Sequence, residues 1–250
     1  MQSDREILYG VHPVLEALRA GRRRALRLHL RPRARDEVQE LERLARAADV
    51  PVTEADEASL SALAGPDTRT QGVALEAGPL PELEPEELVT EGGEQDLLVA
   101  LDGVEDPQNV GAIVRVAEAA GARGLILTRR HAPPLTPALA RASAGAIEHL
   151  PIARATNLAQ TLKILKNNGY WVFGADSGEG EDLFGLADRV VSGRRLVLLG
   201  AEGRGLRPAV LDQVDHRVRI PLAGRIDSLN VSTAAAVLLF ELRRRQPLTG

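Results

Sequence analysis

The second half of the chain is punctuated by short apolar runs, at 97–101, 124–128, 170–174 and 196–199. Each is bounded by Gly, Asp or Arg, as strands buried on both faces of a parallel sheet are. Helical patterns fall between and after them, over 108–120, 137–146, 157–168 and 207–213. A last strand near 218–221 precedes a long helix at about 231–245. This alternation predicts a parallel sheet with helices on both faces, whose ligands sit at the carboxyl ends of the strands. The first 78 residues are patterned differently. An amphipathic helix over 13–20 ends at Gly21, and 26–30 alternates basic and apolar residues as a half-buried strand does. Asp36 is placed to cap a helix running to about Ala48, and 51–54 and 72–76 look like further short strands.

Between these halves the pattern lapses. Residues 77–96 hold three prolines, three glycines, seven acids and no basic residue. Mutually repelling acids and helix-blocking prolines predict a linker. The expected organisation is a small α/β domain at 1–78, a linker at 79–96 and a larger α/β domain at 97–250.

Charge sharpens this division. The formal net charge is −4, which counts against a nucleic-acid partner if only the sum is considered. Residues 1–50 carry 11 Arg against 8 acids, residues 51–96 carry Arg69 against 12 acids, and residues 97–250 carry 19 basic against 15 acidic groups. The acidity is therefore confined to one segment. The densest basic stretch, Arg22, Arg23, Arg24, Arg27, Arg31, Arg33 and Arg35, reads either as a solvated face or as a contact for a phosphate backbone. There are no cysteines, so disulfides, thiolate metal sites and thiol nucleophiles are excluded. The five histidines do not have the spacing of a helical zinc pair, and no metal is expected. No apolar run reaches the ~18 residues of a membrane span, and residues 1–6 lack the apolar core of a secretion signal, so a cytoplasmic location without a membrane partner is expected.

Three loops carry the candidate chemistry. The first follows the strand ending at Leu101 and reads from Asp102 to Arg115, with Asn109 and Gly111 near a helix start. Arg115 lies in an otherwise apolar run. Its bland role is an i,i+3 bridge to Glu118, with Asn109 a plain N-cap. The second loop, Gly200-Ala201-Glu202-Gly203-Arg204-Gly205, is glycine-rich but lacks the spacing of a dinucleotide fingerprint. Glu202 would oppose a pyrophosphate. It suits a ligand with cationic groups, such as S-adenosylmethionine. The third loop runs from Ile220 to Ser232 into an apolar helix. Asp227, Ser228, Asn230 and Ser232 give four candidate caps where one is needed.

The segments N-x-G-x-I-x-R at 109–115, L-G-A-E-G-x-G at 199–205 and I-P-x-x-G-x-x-x-S-L-N-V-S at 220–232 resemble, in order, the three signature motifs of the SpoU (TrmH-like) RNA ribose 2′-O-methyltransferases. The stretches L-Y-G-V-H-P-V at 8–14 and T-Q-G-V at 70–73 resemble the start and end of that family's ribosomal-protein-like substrate-binding domain. The likeness is greatest to the type that methylates a guanosine of 23S rRNA. It implies a C-terminal knotted (SPOUT, trefoil) methyltransferase domain beside a small N-terminal RNA-binding domain. It also implies S-adenosylmethionine held at Gly200, Gly203, Ile220, Leu222 and Leu229, and a homodimer through the C-terminal domain. Sequence reasoning alone would not propose a knot.

The same resemblance places Arg115, Asn109, Glu202, Ser228 and Asn230 in the catalytic site. Methyl transfer to a hydroxyl needs alignment and a more nucleophilic oxygen, because a sulfonium already leaves readily. A guanidinium with a pKa above about 12 is a poor base. Arg115 is therefore expected to bind the neighbouring phosphate and stabilise the developing alkoxide, although the resemblance also admits it as the base. His12 is a base on paper only, since it belongs to the other domain. Methylation of tRNA and a noncatalytic ribosome-assembly factor of the same fold are the alternatives. An oxidoreductase would need a phosphate-binding fingerprint that is missing.

Overall fold

Strands whose side chains are apolar on both faces need helices on both sides, and the chain supplies them in alternation. In the computed structural model, residues 5–32, 36–66, 68–90 and 93–245 are described. The first elements are β1 (Glu6–Tyr9), α1 (Val11–Ala20), β2 (Ala25–Leu30), α2 (Asp36–Ala47), β3 (Val52–Glu54), α3 (Glu57–Ala64) and β4 (Val73–Ala77). There follow α4 (Pro85–Thr90), β5 (Leu97–Asp102), α5 (Pro107–Ala119), β6 (Gly124–Thr128), α6 (Pro137–Ala142), β7 (Ile152–Ala155), α7 (Leu158–Asn167) and β8 (Tyr170–Ala175). The remainder is β9 (Glu181–Asp182), α8 (Asp188–Val191), β10 (Arg194–Gly200), α9 (Pro208–Leu211), β11 (His216–Arg219) and α10 (Val231–Arg244). The chain divides into two units, Met1–Pro81 with Pro134–His149, and Glu82–Pro133 with Leu150–Gly250.

In the first unit β1, β4, β2 and β3 form a mixed sheet in that order. The first two pairings are antiparallel and β2 with β3 is parallel. Helix α1 buries Val14, Leu15, Ala17 and Leu18 and stops where Gly21 adopts φ 61, its N–H returning to the Ala17 carbonyl. The unit also contains 134–149, although a helix over 137–146 was expected in the second domain. It is fastened by Glu148, whose carboxylate accepts from Arg23 Nε at 2.8 and 3.0 Å, and by His149, which pairs with Glu16 at 2.7 Å. Arg23 also donates to Glu6 and to the Gly78 carbonyl. It is therefore an internal ion-pair hub, although the basic stretch around it was expected either as a solvated face or as a phosphate contact. Arg24 and Arg27 are exposed. Arg33, Arg35 and the side chain of Asp36 lie outside the described residues.

In the second unit seven strands run parallel in the order β7, β6, β5, β10, β8, β11, β9. Leu98, Ala100, Ile126, Leu162, Val172 and Leu198 share one core cluster, and Leu88 of α4 joins it. Part of the acidic segment expected as a linker, residues 82–90, thus belongs to this unit. The Leu83 N–H donates to the Ile152 carbonyl at 2.9 Å, the Arg154 N–H donates to the Leu83 carbonyl at 3.0 Å, and Glu82 pairs with Arg154. Strand β10 lies between β5 and β8, which brings the loops after β5 and β10 side by side. Among the described residues no helix is long and apolar enough to cross a membrane.

Burial pushes the Glu148 carboxyl above its usual range, against the pull of Arg23. A carboxyl raised in this way binds more protons folded than unfolded. Its contribution is fully present below about 4.5 and is lost as pH rises through the raised value. Glu148→Gln should therefore flatten the fall in stability above that pH in urea unfolding followed by circular dichroism. Arg23→Met, which leaves Glu148 buried and unpaired, should steepen it and cost about 3–5 kcal/mol at pH 8. Equal slopes in all three proteins would refute the ion-pair account.

Candidate functional site

The carboxyl ends of β8, β10 and β11 open on one cavity of about 750 Å³, whose wall is built largely from the loops after β10 and β11. The loop after β10 folds back on itself. A Cβ on Gly200 would lie 2.3 Å from the carbonyl carbon of Gly205, so no larger residue fits there without moving backbone. Gly203 and Gly205 have φ of 76 and 68, the left-handed region that favours glycine. The turn is closed by the Gly205 N–H on the Ala201 carbonyl at 2.8 Å. Three glycines thus serve two needs, close approach at 200 and turn geometry at 203 and 205. Together they hold Glu202 out at the cavity wall.

Helix α5 is capped by Asp106, which accepts from the N–H groups of Gln108 and Asn109, both at 3.2 Å. Asn109 is therefore not the cap, and its amide is free to reach outward. Asn230 does cap α10, its Oδ1 accepting from Ser232 N at 2.9 Å and from Thr233 N at 3.4 Å. Its Nδ2 meanwhile donates to Glu202 Oε1 at 2.7 Å and to Asn109 Oδ1 at 2.9 Å. Glu202 Oε1 also accepts from Asn109 Nδ2 at 3.5 Å and from the Val231 N–H at 3.4 Å. One residue from each of the three loops meets here, and the junction carries a single negative charge. Glu202 Oε2 makes no hydrogen bond among the described residues.

The remaining candidates fall into two groups. Gly200, Gly203, Ile220, Leu222, Ser228 and Leu229 all line the cavity with Glu202 and Asn230. Ser228 is exposed and its hydroxyl is bonded to Asp227 at 3.2 Å. Asn109 is joined to the cavity wall through Glu202 and Asn230. Arg115 is not brought there. It is exposed on α5, six residues beyond Asn109 and so about 9 Å further along the helix axis. Among the described residues it makes no ion pair, so the bridge to Glu118 expected as its bland role is not formed.

Sequence reasoning missed Ala175, Asp176 and Ser177, which line the cavity from the end of β8. The rule that ligands gather at the carboxyl ends of parallel strands would have found them. It also missed Asp102, at the end of β5. That carboxylate is buried and accepts from the Arg207 N–H at 2.9 Å and from Arg207 Nε at 2.7 Å.

Two family descriptions match the chain. One, the SpoU rRNA methylase family, covers residues 96–240, and the other, RNA 2′-O ribose methyltransferase substrate binding, covers 7–83. A protein of Staphylococcus saprophyticus named in the TrmH family of tRNA/rRNA methyltransferases is 33% identical over 98% of this chain and 97% of its own. A Bacillus subtilis protein named in the same family is 42% identical over 159 residues, and the match spans 63% of this chain and 63% of that protein. Among solved structures, the AdoMet-bound rRNA methyltransferase of Sinorhizobium meliloti superposes with a TM-score of 0.80 at 28% identity, covering 97% of this chain and 88% of the other.

Asn230 has two separable duties, and two variants separate them. Asn230→Ala removes the cap of α10 and should cost about 1 kcal/mol. Asn230→Ser keeps a capping oxygen and should melt close to the parent, yet it loses the donor that binds Glu202 and Asn109. Thermal unfolding by calorimetry measures both, and equal losses in the two variants would argue against the cap.

Proposed function

The chain belongs to the SpoU rRNA methylase family, and from that premise we propose that it transfers a methyl group from S-adenosylmethionine to a ribose 2′-hydroxyl of RNA, a guanosine of 23S rRNA being the first substrate to test. The observation that carries this reading is the junction of Asn109, Glu202 and Asn230, one residue from each motif, at the wall of the cavity. Transfer RNA is the second substrate, because the relatives are named tRNA/rRNA methyltransferases. The match of residues 7–83 to a substrate-binding description supports the first unit as the RNA-holding part. The same reading makes the protein a cytoplasmic homodimer joined through its second unit, with the knotted chain path implied by the resemblance.

The cavity suits the cofactor. Its volume falls within the range of about 300–1,000 Å³ typical of small-molecule sites. Leu199, Ile220, Leu222 and Leu229 offer apolar wall to a purine. The carboxylates of Glu202 and Asp227 offer negative charge to sulfonium and ammonium groups. Bare backbone at Gly200 and Gly203 permits close approach. S-adenosylmethionine, when bound, supplies a methyl on a sulfonium that leaves as a neutral thioether. The protein must then orient one hydroxyl and steady its oxygen as charge develops. Arg115 has no partner among the described residues, so its planar fork is available to the phosphate beside the target ribose and to the developing alkoxide. Asn109, Glu202, Ser228 and Asn230 shape the mouth of the site.

Full-length protein should bind S-adenosylhomocysteine in titration calorimetry, and NAD binding in its place would overturn the reading. With tritium-labelled cofactor, methyl should transfer to a 23S rRNA or tRNA transcript and appear in an alkali-resistant dinucleotide, because a methylated 2′-oxygen cannot cleave the strand. A methyl on the base, or cofactor binding with no transfer to either RNA, would count against it. Arg115→Lys keeps the charge but loses the fork, and should lower transfer about 100-fold or more while leaving cofactor affinity nearly unchanged. Asn230→Ser should also slow transfer while keeping the fold.

A further inference from the structure

The loop that carries Glu202 contains Gly200, Gly203 and Gly205, and glycines hold a backbone in place poorly because they give up the most conformational freedom on ordering. Internally it is tied by the antiparallel pairing of Ala201 with Gly205, in which the Gly205 N–H donates to the Ala201 carbonyl. Its far end is held differently. Arg207, the residue before α9, gives Asp102 three charge-assisted contacts, from its backbone N–H at 2.9 Å, Nε at 2.7 Å and a terminal guanidinium nitrogen at 2.6 Å. The carboxylate is completely buried and the guanidinium is partly exposed. Asp102 does not line the cavity. It is also the last residue of β5, immediately before the loop that leads to Asn109. The same side chain therefore roots the first loop and pins the end of the second.

We propose that the Asp102–Arg207 pair is a positioning device that holds the 200–207 loop against the end of β5, so that the cavity wall and the Asn109–Glu202–Asn230 junction are formed before any ligand arrives. The proposal rests on the methyltransferase reading of the cavity for its ligand, though not for its geometry. Neither residue is a catalytic one. Each acts through Glu202 and through the loop backbone. A fixed direction of dependence follows. Loss of the clamp loosens the loop and weakens the ligand, whereas loss of Glu202 alone leaves the clamp intact.

The test uses full-length protein. Arg207→Gln removes the guanidinium and leaves Asp102 buried with one backbone donor. Arg207→Lys returns a cation able to reach one carboxylate oxygen. The double variant Asp102→Asn/Arg207→Gln carries no unpaired buried charge, and it serves if the single variant fails to fold. S-adenosylhomocysteine affinity by calorimetry should fall about tenfold or more in Arg207→Gln and in the double variant, the scale of one charge-assisted hydrogen bond. Arg207→Lys should recover most of it. Amide hydrogen exchange over 201–206 should speed up in the same two variants without ligand. A purely structural salt bridge would lower the melting temperature while leaving both affinity and loop exchange as in the parent, and that result would overturn the proposal. The exchange measurement needs no ligand, so failure of the parent to bind S-adenosylhomocysteine would sink the methyltransferase reading while the clamp is still judged by exchange alone.

Discussion

One oxygen atom organises the site. Oε1 of Glu202 accepts from the side chain of Asn230, the side chain of Asn109 and the backbone of Val231. The donors come from α5 and from the start of α10, and the acceptor comes from the loop after β10. A carboxylate can satisfy several donors at once, which a neutral acceptor of the same size does less well. Glu202 and Asn230 are exposed, so these bonds fix geometry at the cavity wall and do not offset a burial cost. The order of the sheet brings the donors within reach. Placing β10 beside β5 sets the Glu202 loop next to the root of α5, and helix α10 packs on α5.

Much of this arrangement can be read in the sequence, because burial on both faces leaves an unbroken apolar run. Strands β5, β6, β8 and β10 are such runs, and the structure places them where the runs are. Strand β7 was not legible, because Arg154 interrupts it. In the structure that arginine is buried and bonded to Glu82, the Thr128 carbonyl and the Pro133 carbonyl, so a charge is accommodated in a buried strand at the sheet edge. No local pattern reveals those partners. The linker expectation for 79–96 rests on prolines and acids, and that composition hides two apolar contacts: Leu83 bonds the backbone at Ile152 and Arg154, and Leu88 enters the core cluster of the second unit.

At the site, the motif residues were legible as a set and their individual duties were not. Four polar residues stood where one cap was needed, and Asn230 alone takes that duty while also bonding Glu202. Asn109 looked like a cap because Asp106, three residues earlier, could not be preferred from spacing alone. Arg23 was indistinguishable from its neighbours in a run of arginines. Only the fold shows that it is enclosed between Glu148, Glu6 and the Gly78 carbonyl, while Arg24 faces solvent.

The strand order also bears on how the chain is born. Strand β8 pairs only with β10 and β11, and both lie after it in the sequence. When Ala175 leaves the ribosome, β8 has two open edges and β5 has one. The edges of β5 and β8 that face β10 stay open until Gly200 follows, about 1–5 seconds later at roughly 5–20 residues per second, and the other edge of β8 waits for β11 at Arg219. The first unit waits too, for Glu148 is separated from Arg23 by 125 positions. Until it arrives, an arginine destined for the interior has no carboxylate from the second half of the chain to meet it. A nascent chain of this topology therefore passes through a period of exposed apolar edges, with Arg23 met by Glu6 alone, and it is then most dependent on chaperones and most prone to associate with its own copies on neighbouring ribosomes.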